Sequence, residues 1–89
     1  MGLSEQLPEP RSQAEIDEEA KNIRRLQIMV GMVTSVIYQD PSLTLEQATE
    51  MVSNARTAAL SMFPDKELAW NIIYRPRLYR AIDERFRPQ

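Results

Sequence analysis

Between Ser12 and Gln39 the apolar positions recur at steps of three and four: Ile16, Ala20, Ile23, Leu26, Val30, Val33 and Ile37. That spacing sets them on one face of a helix. Ile16, Ile23, Val30 and Ile37 keep a strict seven-residue spacing with Leu26 and Val33 between them, so the face reads as the a/d seam of a short coiled coil. A second stripe, Ile28, Met29, Met32 and Val36, lies roughly 130° round the same helix and covers only its C-terminal half. A polar arc of Arg24, Gln27, Thr34 and Ser35 separates the helix from one buried all round. Two stripes need two covers, supplied by the rest of the chain or by a second copy of it.

The ends of this helix are marked. Ser12-Gln-Ala-Glu15 has the capping-box pattern. Asp17, Glu18 and Glu19 put negative charge near the positive end of the helix dipole, and Asp17 and Lys21 form an i,i+4 pair. Asp40-Pro41 stops the helix, because the residue before proline is driven out of the helical region. Gly31 costs about 1 kcal/mol in a helix interior relative to alanine, and avoidance of a clash with a close neighbouring helix is the expected compensation.

A second amphipathic pattern follows. Thr44 and Gln47 form another capping box, and Leu45, Ala48, Met51, Val52, Ala55, Ala59 and Met62 make one apolar face opposite Glu46, Glu50, Asn54 and Thr57. Phe63-Pro64-Asp65 ends it, with Asp65 placed to cap a third helix whose core side is Leu68, Ala69, Ile72 and Ile73. Pro76 suits the first position of a fourth helix facing inward through Leu78, Tyr79, Ile82 and Phe86. One continuous helix kinked at Pro76 is the alternative. The expectation is an all-α fold: a long N-terminal helix in an antiparallel hairpin with a second helix, followed by two short C-terminal helices. Residues 1–11, with Pro8 and Pro10 and no periodicity, read as a flexible arm, and 12–89 as a single helical domain with helices over 13–39, 45–62, 66–74 and 76–86.

Composition narrows the function more than it defines it. At 89 residues and 43% hydrophobic content the chain can build one modest core, and association is a common remedy for that size. The absence of cysteine removes disulfides and thiolate metal sites, and the absence of histidine removes Ser-His, Cys-His and imidazole acid–base chemistry. With glycine only at Gly2 and Gly31 there is no phosphate-cradling loop. Glu15, Glu18 and Glu19 share a turn, but a solvated helix N-terminus explains them better than a carboxylate enzyme. No enzyme activity, cofactor or metal is expected. The mostly apolar run from Ile28 to Tyr38 is far shorter than the ~20 residues a membrane span needs, and the acidic start lacks the pattern of a signal peptide. Gln6 stands where a myristoylation signal needs serine or threonine. A cytoplasmic location without membrane attachment is the default.

Two local motifs are excluded on their own residues. Asp40 to Met51 opens like a calcium loop, but Leu45 and Met51 replace its glycine and its bidentate glutamate. The string Leu43-Thr-Leu-Glu-Gln-Ala48 resembles the opening of helix-turn-helix motifs. With Ala48 as the small residue, however, Val52 falls where the turn glycine belongs and Ser53 where an apolar residue belongs. A single uninterrupted helix fits better.

Charge is unevenly distributed. Residues 1–20 hold six acids against Arg11, and residues 75–89 hold five arginines against Asp83 and Glu84, a balance of −5 at one end and +3 at the other. Such ends can pair within the chain or between copies. If Leu68, Ala69, Ile72 and Ile73 face the core, Trp70 and Tyr74 face outward beside Arg75 and Arg77, the composition of a protein-binding hot spot. Trp70 can instead pack against the second stripe of the first helix. The principal expectation is a non-enzymatic interaction module, a homodimer through the seam Ile16, Ile23, Leu26, Val30, Val33 and Ile37. Trp70, Tyr74, Arg75 and Arg77 are the candidate contacts for a protein partner. A nucleic-acid-associated regulator using Arg75, Arg77, Arg80 and Arg87 is the lesser alternative.

Overall fold

A computed structural model describes residues 12–88. The arm expected over residues 1–11 lies outside them. The described residues form an all-helical bundle with no strand. The first helix, α1 (Gln13–Gln39), starts where the cap pattern places it, with the Ser12 hydroxyl accepting from the Glu15 N–H at 3.1 Å. It ends at Asp40, which is extended ahead of Pro41; the Asp40 N–H closes the last turn onto the Val36 carbonyl. The second helix, α2 (Leu45–Met62), opens on a complete capping box: the Gln47 N–H donates to Thr44 Oγ1 at 3.1 Å, and the Thr44 N–H to Gln47 Oε1 at 2.9 Å.

The α2 helix lies antiparallel to α1. Its far end, at Ala59 and Phe63, borders one hollow together with Leu26, whereas Met51 and Ala55 border another together with Met29 and Val33. Ala48, Ala55 and Ala59 are buried, as their small size on the inner face requires for close approach. The two C-terminal segments, α3 (Glu67–Ala69) and α4 (Arg75–Phe86), are joined without a break by a π turn over Trp70–Tyr74. The α4 helix packs on both α1 and α2. Its end is tied to the end of α1, with the Tyr38 hydroxyl donating to Glu84 at 2.5 Å and Arg85 donating to the Asp40 carbonyl at 3.2 Å. The C-terminal run therefore lies parallel to α1 and antiparallel to α2.

Pro76 accounts for the π turn. A proline inside an α-helix clashes with the carbonyl four residues earlier, here that of Ile72. In the wider turn the Arg75 N–H reaches the Trp70 carbonyl, an i→i−5 bond, and the chain passes the proline while remaining helical. The extra residue also sets the phase. Eight residues of regular α-helix would leave Trp70 and Leu78 about 80° apart, whereas absorbing one residue brings them within about 20°. Both are then buried, Trp70 2% exposed and Leu78 0%.

That phase corrects the expected core side of the third helix. Leu68, Ile72 and Ile73 are 70%, 64% and 49% exposed, because the large indole of Trp70 takes the inward position. Asp65 does not cap α3; the N-cap is Lys66, without a side-chain bond. Glu67, the first residue of α3, pairs with Arg56 of α2 at 2.7 Å. Gly31 avoids no clash either: a Cβ built there has nothing within 4 Å.

Candidate interaction surface

The apolar face of α1 divides in two. Leu26, Val30, Val33 and Ile37 are buried and belong to the chain's own core, with Val52, Ala55, Trp70, Leu78 and Ile82. The residues before them have no such cover. From Gln13 to Arg25 no position of α1 is buried, and Ile16 and Ile23 remain 46% and 42% exposed. The seam drawn from the sequence is therefore corrected. Its C-terminal four residues are occupied within the chain, because α2 and α4 reach them, and only Ile16 and Ile23 with Ala20 are open.

At the point where the stripe leaves the bundle there is a hollow of about 200 Å³. Ile23 and Leu26 line it from α1, Ala59 and Leu60 from α2, Phe63 from the turn, and Trp70, Ile73 and Tyr74 from the C-terminal run. Trp70 and Tyr74 stack against each other in its wall, centroids 5.7 Å apart and planes 26° from parallel. Polar side chains, Glu19 and Lys66, are few on its wall. Apolar recognition is the chemistry such a wall offers.

The second stripe of α1 faces another groove, lined by Arg25, Ile28, Met29, Met32, Val36 and Met51. Ile28 and Met32 are well exposed there, while Met29 and Val36 pack against the core. Methionines fill such surfaces adaptably.

Of the two readings left open for Trp70 the inward one holds, and Arg75 and Arg77 are not gathered with it. Trp70 is in the core and does not face solvent, because the π turn rotates it inward. Tyr74 is half-buried against the core, while Arg75 and Arg77 are exposed. The Arg75 guanidinium lies over the Tyr79 ring at 5.0 Å, Arg87 pairs with Asp83 at 3.2 Å, and Arg77 borders a hollow with Gln27, Val30, Gly31 and Thr34. The four residues thus do not form one outward-facing patch. Sequence reasoning missed Leu60 and Phe63 as lining residues. Phe63, a large aromatic immediately after a helix end, was the available signal.

At the opposite end of the bundle two groups titrate away from their ordinary values. The Tyr38 hydroxyl is pushed up, chiefly by its hydrogen bond to Glu84 and further by desolvation and the Glu84 charge. The Asp40 carboxyl is held down, first by the Ser42 hydroxyl and then by the Ser42 N–H, both of which donate to it. The Ser42 bonds fasten the α1–α2 turn, and the Tyr38 bond joins the ends of α1 and α4. No helix of the described residues is long and apolar enough to cross a membrane. No protein-family model matches the chain, and no curated protein or solved structure matches it.

Proposed function

We propose that this chain is a small helical interaction module that self-associates through the N-terminal half of α1. The observation that carries the reading is the continuation of one apolar stripe past its own bundle: Leu26 to Ile37 are covered within the chain, whereas Ile16 and Ile23 are not. An amphipathic helix stays amphipathic over turns it does not bury when those turns have a partner. The acidic residues around that stripe give this end a negative field that opposes nonspecific aggregation of the monomer.

Sedimentation equilibrium over a wide dilution range tests the reading. The wild-type chain is expected to show a weight-average mass that rises with concentration. Ile16→Glu with Ile23→Glu is expected to hold the monomer mass and keep the wild-type helical CD, since neither side chain is in the core. A wild-type chain that stays monomeric at every concentration overturns it.

A further inference from the structure

The open end of the bundle has a definite self-complementary pattern, and the inference below rests on the self-association just proposed. Asp17, Lys21 and Arg24 are spaced four and three apart, so they share one flank of the exposed stripe; Glu15, Glu19 and Asn22 share the other. The segment is acidic before Ala20 and basic after it. When two such helices run antiparallel, each flank meets the same flank of its partner with the order reversed. Inverting the segment about the point between Glu19 and Ala20 sets Ile16 opposite Ile23, and Asp17 of each copy between Lys21 and Arg24 of the other. A parallel pairing sets Asp17 against Glu15 and Glu19 and leaves Lys21 alone to offset it, whereas the antiparallel pairing matches Asp17 with both Lys21 and Arg24 at the expense of one Glu19–Glu19 approach across the two-fold axis.

The same inversion brings Ile16 of one copy to the hollow of the other, because Ile23 forms part of that wall. We propose that the occupant is a second copy of this chain: the first turns of α1 cross antiparallel at Ala20, and each Ile16 seats beside the partner's hollow between Ile23 and Phe63. The interface is isologous, as a two-fold dimer requires. Ala20, a small residue at the crossing, lets the two helices approach. The overlap of Gln13 to Leu26 is about 20 Å of helix, too short to reach a standard interface through the stripe alone. The hollows at its two ends supply the remaining apolar contact, and the dimer dissociates on dilution.

The chain contains no cysteine, so single thiols can be placed without ambiguity. Ile16→Cys and Ile23→Cys are made separately; both positions are exposed and neither change opens the core. In the antiparallel register two thiols at position 16 are about 10 Å apart along the axis alone, beyond disulfide reach, while positions 16 and 23 face each other. Under mild oxidation the mixed sample is expected to give a disulfide-linked heterodimer, and each variant by itself a far smaller yield. Strong linking of Ile16→Cys by itself overturns the antiparallel register. A dimer in sedimentation with no linking in any combination places the interface elsewhere and also overturns it. In both cases self-association stands. Monomer throughout removes the self-association on which the register rests.

Discussion

Replacing Gly31 by alanine isolates one term of the fold's energetics. The residue sits well inside α1, five residues beyond the first buried position, and its φ is not positive. An added Cβ meets nothing within 4 Å, so the change makes no contact and relieves none. What remains is the backbone entropy of the unfolded chain, which glycine raises and alanine lowers. That difference is about 1 kcal/mol in favour of Gly31→Ala. For a domain of this size the melting temperature should rise by about 4–8 °C. Urea titration followed by far-UV CD should show the midpoint moving up with the m-value unchanged, since no additional surface is buried. Samples are kept dilute so that association does not contribute. A lower midpoint for Gly31→Ala would refute the reasoning. It would mean that the hollow beside Gly31, bordered by Gln27, Val30, Thr34 and Arg77, is occupied in solution by something approaching the backbone.

Two further perturbations follow from the same geometry. Deleting Asn71, an exposed residue of the π turn, should restore regular α-helix with Trp70 and Leu78 both still inward. The Pro76 ring then meets a normal turn at a cost of up to about 3 kcal/mol, so the deletion alone should destabilise and the deletion combined with Pro76→Ala should recover most of the loss in a urea double-mutant cycle. Ser42→Ala removes the hydroxyl that holds the Asp40 pKa down. A depressed carboxyl contributes stability above its ordinary pKa and loses it as pH falls through the folded value. Ser42→Ala should therefore be less stable than wild type near pH 7, with the gap in urea midpoint closing as the medium becomes acid enough to protonate Asp40 in both.

Much of the fold was legible because caps and periodicity agree. Ser12 and Thr44 each accept the backbone donor their patterns assign, and Pro41 ends α1 at the expected residue. The C-terminal run was not legible for a specific reason. Reading Leu68, Ala69, Ile72 and Ile73 as the inner face assumes a constant 3.6-residue turn, and Pro76 breaks that assumption six residues after Trp70. Periodicity by itself weighs four aliphatic positions above one indole, whereas burial of the indole sets the phase in the folded chain. The seam on α1 was half legible for a different reason. Its heptads are continuous in sequence, but α2 is shorter than α1 (18 residues against 27), so a single pattern serves two environments. Where the cover stops is a tertiary fact that no local window contains.

Trp70 has one more consequence. It is the chain's single tryptophan, it is shielded from water, and it lines the hollow at the open end. Indole emission from the unmodified protein therefore reports on that end alone, while far-UV CD averages over all the helices. The two signals coincide during unfolding only if the open end melts together with the rest. Where they separate, the interval between them measures how loosely the end of the bundle is held, without a label or a substitution.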